Sequence, residues 1–308
     1  MIPSLATNNS SFQVQKEYLD QYRVFDEQNK TQSMAEMPGP YALLAFEEKN
    51  ECRNRYRDIL PYQQNIFRFQ NPNRYFNASC VLQGRAISCQ GPLDIEYDHF
   101  WRMAWESKTT AVIMLTDLVD KGKTKCSWYL PQEKGDTLPA NDELPIEEVI
   151  MVTQLDGPPR PDGESPEGFT ELIERRLELE YKGEKRIVIH YHLRGWRDFE
   201  AAPEVILAEL VMRVWKNHFS RRELIIPHCS AGIGRSGTFL AILETFSQLN
   251  QMPVLTKDLV FNVVKQLRSL ENGREGMVQN INQYGLIFKT LAILNTHCAQ
   301  YFCTQDSL

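Results

Sequence analysis

Apolar and polar positions change rhythm along this chain, and each rhythm predicts an element. In FQVQKEYLDQYRVFDEQNK (12–30), Phe12, Tyr18, Tyr22 and Phe25 recur at roughly helical spacing, within a segment otherwise rich in Asn, Gln and Ser that stops at MPGP. That predicts a frayed start, one amphipathic helix and a breaker. AVIMLTDL (111–118) is a short apolar run that turns polar, which predicts a buried strand, and EEVIMVTQLDG (147–157) predicts another. DGPPRPDGESPEG (156–168) is a loop, since Pro and Gly stop helix and strand alike. LELEYKGEKRIVIHYHL (177–193) alternates on either side of Lys182-Gly183 and predicts a hairpin. ELIIPHC (223–229) ends a further strand. Three helical patterns follow Ser236: SGTFLAILETFSQLN, LTKDLVFNVVKQLRSL and QNINQYGLIFKTLAILNTHCAQ. Strands first and helices clustered late indicate an α+β chain, or a mixed sheet with helices on both faces. No internal repeat interrupts the series.

Composition narrows the function. With 308 residues, 42% of them hydrophobic, the chain can bury the core of one large domain or two small ones. A formal net charge of −6 weighs against nucleic acid as a partner, so any anion must be drawn by a local site. No apolar run approaches a membrane span, and MIPSLATNNSSFQ lacks a cationic, apolar leader. The expectation is therefore no membrane insertion and no secretion. Seven cysteines, an odd number, read as reduced thiols of the cytoplasm, whether the cell's own or a host's. No C-x-x-C pair has a matching second pair, so no structural zinc is expected.

The candidate chemistry sits in IIPHCSAGIGRSGTF (225–239). A strand ends at Ile226–Pro227, and Gly232 and Gly234 permit a tight loop whose amides converge into an anion nest. A helix starting near Ser236 aims its positive end at the same point. Arg235 adds a planar guanidinium able to grip two oxygens of a tetrahedral oxyanion. The dipoles that bind a phosphate-like dianion also favour the thiolate of Cys229, to which Ser236 can donate a hydrogen bond. Such a thiolate beneath a phosphorus atom is aligned for in-line attack. A Walker-type loop would need Gly-Lys-Ser/Thr at its end, which is absent.

HCSAGIGRSGTF resembles the signature of the tyrosine-specific protein tyrosine phosphatases, and the likeness runs from about residue 40 to about residue 295. The resemblance implies a twisted mixed central sheet flanked by helices. It implies an N-terminal extension with a helix over 1–40, one catalytic domain over 41–298 and a short tail over 299–308. Within the signature it makes Cys229 the nucleophile and Arg235 with Ser230, Ala231, Gly232, Ile233 and Gly234 the phosphate cradle, with His228 in support. RNRYRDILPY (53–62) is similar to the family's phosphotyrosine-recognition loop, so Tyr56 would wall a deep cleft and Asp58 would hold substrate backbone. RYFNAS (74–79), QGPL (90–93) and FWRMAWE (100–106) also resemble family segments, with aromatics assigned to the core. LVDKGKTKCSWYLP (118–131) resembles the family's acidic hairpin, with Asp120 in place of its usual Glu and Lys125 facing the general-acid loop; an exposed charged hairpin is the plainer reading of both.

HYHLRGWRDFEAAPE (190–204) resembles the general-acid loop, which makes Asp198 the acid, with Phe199 beside the substrate and Trp196 in support. The family has Pro between Trp and Asp; here Arg197 stands there, and Pro203 comes one residue later than usual. Arg at 197 should leave that loop freer. His190 and His192 read as structural histidines. REGMVQNINQY (274–284) resembles the glutamine loop, with Gln279 placing the hydrolytic water and Gln283 as its second partner. The implied reaction needs no metal or organic cofactor, takes phosphotyrosine proteins as partners and suits a monomer. Two other readings stay open at this point: a phosphotyrosine-binding domain with little turnover, and a phosphatase for phosphoinositides or phosphoserine and phosphothreonine.

Overall fold

The computed structural model describes residues 19–25, 27, 39–139, 149–161, 163–197, 203–250 and 256–305. Its centre is a twisted eight-stranded sheet in the order β1-β2-β10-β3-β9-β8-β7-β6. The strands are β1 (Ala78–Val81), β2 (Ala86–Cys89), β3 (Ala111–Met114), β6 (Thr137–Pro139), β7 (Met151–Asp156), β8 (Glu171–Tyr181), β9 (Glu184–Arg194) and β10 (Ile225–His228). The four middle strands β2, β10, β3 and β9 run parallel, and the flanking pairs run antiparallel. β4 (Val119–Asp120) and β5 (Lys123–Thr124) form a separate two-stranded hairpin.

AVIM is fully buried on both faces, as expected for a strand between parallel neighbours. Ala111 and Ile113 join one core, and Val112 and Met114 join the other. The predicted β8–β9 hairpin turns at Lys182 (φ 51°) and Gly183 (φ 79°), the two left-handed positions of a type I′ turn.

The first core packs the sheet against α4 (Glu204–Asn217), α5 (Gly234–Leu249), α6 (Lys257–Leu267) and α7 (Ile281–Gln305). On the other face lies α3 (Tyr97–Glu106), whose FWRMAW stretch is buried. α5 is buried throughout residues 234–246, which makes it the central helix of its layer. A short helix α2 spans Glu48–Glu51. Among the described residues no helix is long and apolar enough to cross a membrane.

Two boundaries beside the signature differ from those the pattern predicts. α5 opens at Gly234 rather than near Ser236, and β10 runs through His228. Residues 19–25 are helical (α1), within the helix expected of the N-terminal extension, and Tyr22 and Phe25 pack in the main core. Tyr22 and Phe25 are 3% and 0% exposed, and Phe25 stacks on Phe261 of α6 at 4.9 Å. Phe12 and Tyr18 lie outside the described residues. At the far end, α7 continues past residue 298 to Gln305.

Candidate active site

β10 delivers the signature to the carboxyl edge of the parallel strands, where crevices form in such sheets. Gly232 has φ +79°, and a Cβ there would overlap the Cys89 carbonyl, so the turn admits only glycine. The tightness of this turn sends the Gly232 amide back to Cys229 Sγ at 3.3 Å. Burial by itself raises the Cys229 thiol. The Arg235 charge, the Ser236 hydroxyl and amide and the Gly232 amide together outweigh it, and the thiol is held below its ordinary value. Ser236 Oγ is buried with no competing partner, which leaves it to the sulfur. Cys229 is 3% exposed, yet it lines the floor of a cleft of about 500 Å³ with Ser230, Ala231, Arg235 and Gln279.

Arg235, at the first turn of α5, sends Nη1 to the Trp196 carbonyl at 2.6 Å. Trp196 is 1% exposed, so its own packing fixes that acceptor. The cradle arginine is therefore oriented by the segment that carries the predicted acid. Asp198 and Phe199 themselves lie outside the described residues. Arg197 is tied down instead of left free: Nη2 donates to the Ser165 carbonyl at 3.3 Å, and Nη1 stands 3.6 Å from Glu164 Oε1.

Tyr56 walls the cleft, with Asp58 and Ile59 beside it. Ser230 Oγ donates to the Lys125 carbonyl at 2.9 Å, so at 2.9 Å from Tyr56 it accepts the phenol proton. Arg55 clamps the recognition loop to the QGPL segment, donating to the Gly91 and Pro92 carbonyls at 3.0 and 2.8 Å. Asp120 and Lys125 are 4% and 8% exposed, which removes the exposed-hairpin reading. Lys123, Thr124 and Lys125 all line the cleft. Lys123 and Thr124 carried no motif signal; only their place in the hairpin could have flagged them.

Gln279 reaches the cleft and Gln283 does not line it. Gln283 is 1% exposed and accepts the Gln279 amide on Oε1 at 2.8 Å, so it holds Gln279 rather than substrate. Both glutamines press on Gly234, where a Cβ would overlap Gln279 Oε1. Val278, one residue before Gln279, has φ 61°, an outlier for a β-branched side chain. Its amide donates to the Ile233 carbonyl at 3.2 Å. Its carbonyl accepts Arg268 Nη2 at 2.7 Å and the Tyr22 hydroxyl at 3.1 Å. Ile233 thus serves as a backbone anchor between the cradle and the glutamine loop.

Beneath Cys229 lies a directed chain of hydrogen bonds. His228 Nδ1 is 3.3 Å from the Cys229 carbonyl, which can only accept, so Nδ1 carries the proton. Nε2 then accepts the Tyr129 hydroxyl at 2.6 Å, and Tyr129 in turn accepts from His190 Nε2 at 2.9 Å. Burial lowers His228 to about 4 and His192 to about 3, and lowers His190 well below its ordinary value. His192 Nε2 bonds the Thr116 carbonyl at 2.9 Å. Among the described residues no group of three or more His, Cys, Asp or Glu could hold a metal ion.

A family model described as protein-tyrosine phosphatase matches residues 50–293. Mouse tyrosine-protein phosphatase non-receptor type 13 is 31% identical over 270 residues, covering 84% of this chain and 10% of that protein. Human tyrosine-protein phosphatase non-receptor type 2 is 32% identical over 264 residues, covering 83% of this chain and 58% of that protein. Tyrosine-protein phosphatase 3 of Schizosaccharomyces pombe (strain 972 / ATCC 24843) is 33% identical over 229 residues, covering 70% of this chain and 71% of that protein. The chain thus spans 10% of the length of the type 13 relatives it matches, from mouse and human.

Proposed function

The chain belongs to the protein-tyrosine phosphatase family, and from that premise we propose that it hydrolyses phosphotyrosine in proteins through a phosphocysteine intermediate. In this reading the aryl phosphate enters the cleft beside Tyr56 and places its phosphate on the amides of the 230–235 turn and on Arg235. The Cys229 thiolate attacks phosphorus in line. As the P–O bond to the ring breaks, Asp198 gives its proton to the leaving phenolate. In the second step Gln279 orients a water, Asp198 takes its proton, and attack on the phosphocysteine releases inorganic phosphate and restores the thiolate. The lining of the cleft by Cys229, Arg235 and Gln279 supports this reading. The work belongs in the cytoplasm, where the thiol stays reduced.

The observation that carries this reading is Cys229: a thiol held low by Arg235, Ser236 and two amides at the floor of a cleft walled by a tyrosine. The test compares turnover of a phosphotyrosyl peptide with that of the phosphoseryl peptide of the same sequence. Turnover of the first, little of the second, and its abolition in Cys229→Ser with binding retained are expected. Affinity with negligible turnover at saturating substrate would make the chain a binder instead, and equal rates would remove the tyrosine specificity.

A further inference from the structure

The proline- and glycine-rich loop after β7 takes no part in the chemistry above, yet its side chains reach three segments of the site. Ser165, 3% exposed, donates its hydroxyl to Asp117 Oδ1 at 2.9 Å. Asp117 accepts the Gly195 amide on Oδ2 at 3.1 Å and lies 3.4 Å from Arg194 Nε. Gly195 has φ +78°, and a Cβ there would overlap the Phe169 carbonyl, so the end of β9 is pressed against this same loop. Glu164 accepts the Lys121 amide on Oε1 at 2.9 Å and the Gly122 amide on Oε2 at 3.5 Å, at the turn of the β4–β5 hairpin. Those amides, Lys121 foremost, keep its carboxyl below the ordinary value, and Arg197 adds to them. One carboxylate therefore ties the hairpin that carries Lys125 to Arg197. The next residue back, Trp196, presents the carbonyl that receives Arg235.

We propose that Glu164 and Arg197 are a positioning pair: they hold the Trp196–Arg197 backbone against the β4–β5 turn and so set Arg235 in the orientation that grips a tetrahedral oxyanion. This rests on the reading of the cleft as a phosphate site. Neither residue touches substrate. Arg197 and Glu164 are 21% and 31% exposed, so their attraction is modest and screened by salt. Its effect is to choose one backbone position for an acceptor that a neighbouring guanidinium depends on. A proline at 197 would have no side chain to make either contact.

The experiment uses the full chain, its Glu164→Gln and Arg197→Gln variants and the double variant. Affinity for inorganic phosphate is measured by calorimetry at low and high salt, together with kcat/KM on a phosphotyrosyl peptide. Each single variant is expected to weaken phosphate binding by about two- to fivefold. The double variant should be no worse than the worse single, and the deficits should shrink at high salt. Arg197→Lys, which keeps the charge, should recover part of the affinity. A bare field effect would instead move the singles in opposite directions, since one removes a negative and the other a positive charge. That result, additive losses, or unchanged affinity would overturn the pairing. A parent chain that binds phosphate but does not turn over the peptide would defeat the phosphatase reading and leave the pair to be judged by binding alone. A parent that binds no phosphate would overturn both.

Discussion

At the residue scale, the site is an exercise in keeping one sulfur charged. Cys229 loses solvent, which works against ionisation, and gains a cation, a hydroxyl and two amides, which work for it. The alkylation rate of Cys229 by iodoacetamide should accordingly rise through an inflection below the value of about 8.5 for a free thiol. Ser236→Ala should move that inflection upward, because the hydroxyl and its hydrogen bond to the sulfur are lost. A profile that is the same in both proteins would show that the hydroxyl does not reach the sulfur. The signature made these residues legible from sequence because its chemistry is local: the nucleophile, glycine turn and arginine lie within seven consecutive positions. Gln283 was legible as a position but not in its role, since its contact with the Gln279 amide depends on how the chain enters α7. Tyr129 and Glu164 were not legible as partners of the site, because each acts through contacts far away in sequence.

At the element scale, α5 shows how a helix start can be shaped by what it faces. Gly234 opens α5 at a φ that alanine can adopt, and alanine there would favour the fold by about 0.4–1 kcal/mol through a less disordered unfolded chain. The added methyl would, however, push on Gln279 Oε1 and Gln283 Nε2, both movable side-chain ends. Gly234→Ala should therefore leave the melting temperature level or higher while kcat falls by about tenfold or more, a split that calorimetry and steady-state kinetics would reveal. Loss of stability with kcat intact would mean that the glutamines do not depend on this space. Long periodic stretches such as α7 and the β8–β9 hairpin were readable in advance, because burial of one face imposes a period. The four-residue strands β1 (ASCV) and β2 (AISC) were not: small and polar residues break each of them, so neither shows the unbroken apolar run that announces AVIM of β3. Arg197 is read from the sequence as a residue that frees its loop; its own side chain is long enough to reach Glu164 and Ser165, contacts that the sequence does not announce.

Across the whole molecule, three neutral histidines sit between the two cores. An unfolded chain protonates its histidines as pH falls through about 6.5, whereas the folded chain holds His228 to about 4 and His192 to about 3. Their contribution to stability is thus fully present above 6.5 and is lost as pH falls below it toward the folded values. Each adds a slope of about 1.4 kcal/mol per pH unit inside that window. Urea midpoints measured from pH 7 down to pH 5 should fall steadily; a flat profile would show that the histidines do not stay neutral in the fold.

The Tyr22 contact has a practical consequence for anyone trimming this chain. An outline drawn from kinship starts at residue 50, whereas the hydroxyl that steadies the strained peptide ahead of Gln279 comes from position 22. Cutting at the kinship border would expose the Phe261 ring and relax the peptide before Gln279, so a shortened protein with poor turnover would report on the scissors and not on the enzyme.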